Sequence, residues 1–158
     1  MASSGMFDHE KLDVYQLELK FLTWVTQFLV NLASLSVTQT RELREQLDRA
    51  SLSTLLNTAE GNGKRQGRQR ARYFDDARGS AIECAACLDA SVAKAFSSLE
   101  EIQPGKEMLL RVVSNAFQIS GAIRSGAIPV RENASAVEQP FEDDDEHEDE
   151  DETRPRGS

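Results

Sequence analysis

The stretch KLDVYQLELKFLTWVTQFLVNLAS, residues 11–34, carries the reading on which the fold turns. Its polar positions Gln16, Lys20, Thr23, Gln27, Asn31 and Ser34 recur at spacings of 4, 3, 4, 4 and 3, the period of an α-helix. They form one narrow stripe. Leu12, Tyr15, Leu17, Phe21, Leu22, Trp24, Val25, Phe28, Leu29 and Leu32 take up nearly all of the remaining surface. A surface helix of a small bundle buries a face of roughly 100°, and no helix is central in an antiparallel four-helix bundle. The surplus apolar perimeter predicts that another copy of the chain covers the outer flank of this helix. A central place within its own fold is the alternative.

Working outward, three more helices are expected. The second spans about Thr38 to Glu60, with Ser36 or Thr38 as its cap and an apolar side of Leu43, Leu47, Ala50, Leu55, Leu56 and Ala59. Gly61 suits the left-handed position after it. The third begins within 66–71 and runs to about Ala95 on a core row of Phe74, Ala77, Ala81, Cys84, Leu88, Val92 and Ala95, small enough for close approach by a neighbour. The fourth opens at Pro104, buries Leu109, Val112, Ala116, Ile119 and Ile123, and ends at Gly126 and Pro129. The expected fold is all-α: an antiparallel up-and-down four-helix bundle over residues 11–126. A flexible N-terminus, 1–10, precedes it, and a disordered acidic tail, 127–158, follows.

The 158 residues carry a formal net charge of −9, but the charge is not spread evenly. Residues 1–126 hold 15 acidic and 15 basic side chains; residues 127–158 hold 12 acidic and 3 basic. The whole excess sits in the tail, whose run Phe141 to Glu152 buries too little apolar surface to offset the entropy of ordering. No run of about 18 apolar residues suggests a membrane span, and Met1 to Asp8 lack the basic and apolar parts of a secretion signal. Two cysteines make no disulfide framework, which points to the reducing cytoplasm. There the sequon at Asn133 would meet no glycosylation machinery.

The strongest local feature is the run 64–72, in which Lys64, Arg65, Arg68, Arg70 and Arg72 are cationic and Gly63 and Gly67 keep the backbone pliable. Such a run can pair with successive phosphates, with salt-dependent binding indifferent to base sequence. A solvated loop at a helix start is the alternative, although the helix dipole disfavours cations there.

Arg49, Asn57, Glu60, Arg78, Gly79, Ser80 and Glu83 fall where the second and third helices meet. The two carboxylates could share a proton or hold a metal. The structural reading has Arg49 or Arg78 neutralise Glu60 or Glu83 in a partly buried network, with Gly79 and Ser80 allowing close approach.

Cys84 and Cys87 have C-x-x-C spacing, but His9 and His147 both lie in expected tails, so packing is the preferred role over zinc or redox chemistry. There is no Glu-x-x-His pair for a di-iron centre, and Asn62-Gly63-Lys64 lacks the context of a phosphate loop. No nucleophile has a plausible base. The expectation is a protein without enzymatic activity, metal or cofactor.

The residues of helices 2 and 3 also carry a resemblance. Gln46-Leu47-Asp48-Arg49-Ala50, Asn57-Thr58-Ala59-Glu60-Gly61-Asn62-Gly63-Lys64, Phe74, Ala77-Arg78-Gly79-Ser80 and Glu83 match, without gaps, the pattern Q-L-R-R-A, N-I-A-E-G-x-G-R and A-x-G-S-x-x-E. That pattern resembles the bacterial four-helix-bundle proteins often encoded within intervening sequences of 23S rRNA genes. The resemblance implies a non-catalytic bundle assembled into a ring, typically a homopentamer. It also implies kinship with the accessory variability protein of diversity-generating retroelements, which binds nucleic acid and a reverse transcriptase. This chain departs from the pattern at Thr58 (usually Ile), Gln66 (a capping Ser) and Arg70 (Phe), and the acidic tail lies outside it.

The functional expectation is an oligomeric bundle that binds RNA or DNA through the turn between helices 2 and 3. The alternative is a scaffold for a protein partner, such as a reverse transcriptase, with no nucleic-acid role. The tail would keep the assembly soluble, fold back on 64–72 as a phosphate mimic, or weakly capture cations.

Overall fold

The structure, a computed structural model, describes residues 5–128. A 3-10 turn, Asp8–Lys11, leads into four helices: α1 Asp13–Leu35, α2 Val37–Gly63, α3 Gly67–Ala93 and α4 Leu99–Arg124. They form the expected antiparallel bundle, with no strand among the described residues. α3 packs most extensively against α2 and α4, and α1 meets α2 more fully than α4. The expected tail falls almost wholly outside the described residues, as do residues 1–4 of the expected flexible start. The 3-10 turn packs on α2, with Phe7 stacked on His9 and His9 edge-on to Tyr15.

α1 follows its sequence pattern closely. Val14, Leu17, Phe21, Val25, Phe28 and Leu32 are buried, and all six members of the polar stripe are exposed. Trp24 stacks between Phe21 and Phe28 and lies on α4 at Gly105, where a Cβ would come within 2.2 Å of the indole. Leu22 and Leu29 are half-buried, and Leu19 and Val30 are exposed. α1 turns into α2 through one extended residue, Ser36, whose Oγ accepts from the Gln39 N–H. The Thr40 hydroxyl ties the same corner by donating to the Ser36 carbonyl at 2.6 Å.

Three expected boundaries are corrected. α2 does not stop at Gly61 but runs to Gly63, and Gly61 is a buried helical residue. Its lack of a side chain matters for packing rather than for handedness, since a Cβ there would sit 2.9 Å from the Tyr73 Cβ. α3 ends at Ala93, so Ala95 lies beyond the core row and is itself the left-handed residue, at φ +58°. α4 begins at Leu99 rather than Pro104. Ser98 and Glu101 form a reciprocal capping box that starts the helix five residues early. Pro104 then leaves only the exposed Glu100 carbonyl without its intrahelical donor.

The interior holds one residue that the hydrophobic pattern concealed. Glu18 of α1 is 1% exposed, and its Oε1 accepts a 2.7 Å hydrogen bond from the Thr58 hydroxyl of α2. Its Oε2 has no partner among the described residues. Burial pushes the carboxyl up from its ordinary 4.5 to about 8, against the lowering effect of the Thr58 bond. At neutral pH the group is therefore a neutral acid within the bundle. Between pH 4.5 and 8 the folded chain keeps a proton that the unfolded chain has lost. Stability from this group is fully present below pH 4.5 and declines as pH rises through 8, by on the order of 5 kcal/mol. Glu18→Gln keeps an acceptor for Thr58 and removes the titration, so urea unfolding between pH 5 and 9 should lose most of this decline. A decline of equal size in both chains would contradict the assignment.

Candidate nucleic-acid interface

α2 and α3 lie close because the seam between them is built from small groups. Ala77, Ala81 and Cys84 of α3 are fully buried with Phe74 and Leu88, and Leu47, Ala50, Ser51 and Thr54 of α2 are buried too. The hydroxyls of this seam spend their donors locally, Ser51 on the Asp48 carbonyl and Thr54 on the Ala50 carbonyl. Such close antiparallel helices need little chain to connect them, and residues 64–66 suffice.

All five expected cations occur at this end of the bundle, in two groups. Lys64 and Arg70 are half-buried and engaged. The Lys64 ammonium lies 4.9 Å from the Tyr73 ring centroid and 4.0 Å from Glu60, and Arg70 donates to the side chain of buried Asn62. Arg65, Arg68 and Arg72 are exposed and have no ion pair among the described residues. Arg68 and Arg72, four residues apart on α3, share one helix face, and Arg65 lies in the connection just before it. α3 starts at Gly67 without a side-chain cap and with no acidic residue in its first turn. Cations here oppose the positive end of the helix dipole, so the local fold gains nothing from them. A shallow cleft lined by Lys64, Gln69, Arg72, Tyr73 and Asp76 borders this face.

The polar residues of the α2–α3 junction meet, but with partners other than those expected. The Ser53 and Ser80 hydroxyls are 2.9 Å apart, and Asn57 donates to Ser53 at 3.1 Å. Glu83 accepts from Gln46. Neither Arg49 nor Arg78 neutralises Glu60 or Glu83. Arg49 is exposed near Glu45, and the Arg78 guanidinium sits over the Phe117 ring of α4, 5.6 Å from its centroid. Glu60 instead faces Lys64 across one turn. Gly79 is exposed with open space at its Cβ position, so it takes no part in the close approach; Gly61 does. Among the described residues no group of three His, Cys, Asp or Glu stands together as a metal site.

Sequence reasoning overlooked one apolar row on the outer surface. On α4, Leu110 and Phe117 are 71% and 60% exposed, and Ile82 of α3 is exposed as well. Leu52 of α2 and Leu56, expected on the apolar side of that helix, are exposed as well, as are Leu19 and Val30 of α1, where an apolar outer flank was expected. The α4 row was hidden because attention to the buried face, Leu109 to Ile123, leaves the opposite face assigned to its polar members alone.

Fold and site together define a class, a four-helix bundle whose second and third helices form a hairpin tipped with cations. The chain belongs to the family of 23S rRNA-intervening sequence proteins, whose model matches residues 10–115. The match spans α1 to α3 and much of α4 and stops short of the acidic tail. No curated protein matches the chain. The departures from the family pattern have local explanations. Thr58 supplies the hydrogen bond to Glu18, and Arg70 reaches back to Asn62. Gln66 precedes α3 without capping it through its side chain.

Cys84 and Cys87 are both buried and unbridged, and burial is the largest influence raising both thiols, Cys84 to about 12. A thiol-specific reagent such as Ellman's should therefore label Cys84 in the folded protein no faster than the protein opens. Rapid stoichiometric labelling of Cys84 under native conditions would contradict this burial.

Proposed function

We propose that this protein is a non-catalytic, oligomeric bundle that binds RNA or DNA through the cationic turn between α2 and α3, in the cytoplasm. One observation carries the reading: Arg65 in the connection and Arg68 and Arg72 on one face of α3 are all exposed and have no ion pair among the described residues. Phosphate oxygens would supply the anions that the local fold does not, at a helix end whose free N–H groups favour them. The family's association with rRNA intervening sequences agrees with a nucleic-acid role. No helix among the described residues is long and apolar enough to cross a membrane.

Assembly would multiply this contact by avidity. The apolar groups Leu19, Val30, Leu52 and Leu56 lie on α1 and α2, whereas Ile82, Leu110 and Phe117 lie on α3 and α4. Two different apolar faces on one chain suit a head-to-tail contact, and such contacts close into rings when the rotation allows. A homopentamer is the ring we favour, by kinship with the family. The same faces favour a second reading, a scaffold whose ring receives a protein partner such as a reverse transcriptase, in the manner of the retroelement accessory protein. In that case nucleic acid would not bind.

Titration of a labelled 20-nucleotide RNA between 50 and 300 mM salt separates the readings. The full chain should be compared with a full-length form whose acidic tail residues are replaced by amides, so that no polyanion competes in cis. A steep salt slope is expected. It should fall by about 2 in Arg65→Ala/Arg68→Ala/Arg72→Ala if three single-strand phosphate contacts are lost. No binding by either form would overturn the nucleic-acid reading in favour of the scaffold. Light scattering should give a multiple of the 17.6 kDa chain mass. A monodisperse monomer would refute assembly.

A further inference from the structure

The exposed arginine face and the acidic tail originate at the same end of the bundle. α4 runs down to Arg124, which is paired with Asp75 of α3. Asp75 lies seven residues along α3 from Arg68, about 10 Å of helix rise. Ile128, the last described residue, packs back on the bundle here, its N–H bonded to the Ala122 carbonyl. The described chain therefore ends in the half of the bundle that holds the first turns of α3. Residues 129–141 separate Ile128 from the run Glu142 to Glu152, which holds ten carboxylates among eleven residues. Thirteen residues reach at most about 45 Å, several times the roughly 8–10 Å between neighbouring helix axes. Reach does not limit contact.

Charge selects the destination. Residues 1–126 are balanced, so they present no general attraction for a polyanion. Most exposed cations elsewhere are occupied or dispersed: Arg41 pairs with Glu45, Lys106 with Asp89, Lys11 with Asp8 and Arg124 with Asp75. Arg65, Arg68 and Arg72 are exposed cations without an ion pair that the described residues bring together at one end of the bundle.

We infer that the acidic segment Glu142–Glu152 docks on the Arg65–Arg68–Arg72 face of its own chain, occupying in cis the surface that would otherwise receive a polyanion in trans. Tethering gives the segment an effective concentration in the millimolar range. A free polyanion must then bind more tightly, or at several faces at once, to displace it. Individual carboxylate–guanidinium pairs on such a surface are weak and screened, with a Debye length of about 10 Å at 0.1 M salt, so the block is set by their number. The inference draws on the proposed polyanion site but does not require that nucleic acid be its natural ligand.

The test uses the full-length chain and a full-length variant in which the ten carboxylates of 142–152 become Gln or Asn. Phenylglyoxal labelling with mass spectrometry reads each arginine separately, at any oligomeric size. In the native chain at 50 mM salt, Arg65, Arg68 and Arg72 should be labelled several-fold more slowly than in the variant, and the gap should close at 0.5 M salt. Arg111, exposed on α4, should not change. The variant should also bind a labelled 20-nucleotide RNA at least tenfold more tightly. Equal labelling of the three arginines in both chains would overturn the inference, whatever the RNA does. Protection in the native chain, with RNA bound by neither form, would uphold the docking and refute the nucleic-acid reading.

Discussion

The close seam between α2 and α3 is the constraint on which the rest depends. Phe74, Ala77, Ala81, Cys84 and Leu88 are fully buried there, and Gly61 has no room for a Cβ. Three alanine- or cysteine-sized groups in five core positions let two helices of 27 residues run side by side. That proximity makes a three-residue connection possible and gathers Lys64 to Arg72 into one end of the molecule instead of spreading them along a loop. α4 then packs along α3, and its C-terminus, where Arg124 pairs with Asp75, lies towards the same end.

Small residues in the seam mean modest apolar burial per residue. The inner side of α2 is also unusually polar, with Thr40, Ser51, Thr54, Thr58 and Asn62 all buried. Each has a local or cross-helix hydrogen bond, so the desolvation cost of burying it is largely offset. α1 supplies more of the large core side chains than any other helix, and its Trp24, stacked between Phe21 and Phe28, lies on α4 at Gly105.

Periodicity carried most of the fold. The polar stripe of α1 is exposed at every member, and the row from Phe74 to Leu88 is buried throughout. What it missed depends on single atoms or on pairs distant in sequence. The start of α4 was misplaced because Pro104 is a conspicuous signal and the Ser98–Glu101 box a quiet one, although both were readable. Gly61 reads equally well as a helix stop or as a contact point; only its approach to Tyr73 decides. Glu18 sits 40 residues from Thr58, and no helical period links them. For the candidate site, the clustering of cations was visible, but not which were engaged. Lys64 over Tyr73 and Arg70 against Asn62 are tertiary facts. The expected partners of Glu60 and Glu83 failed for the same reason: charge complementarity on paper names candidates, and helix phase chooses among them.

The α2–α3 hairpin should be the most stable unit of the molecule, the scaffold that holds the cationic face in place while other parts open. Amide hydrogen exchange at equilibrium tests this directly. Amides of Leu47 to Thr58 and of Phe74 to Leu88 should exchange slowest, at rates set by global unfolding, with those of α1 and α4 equal or faster. Seam amides that exchange well before those of α1 would contradict the account.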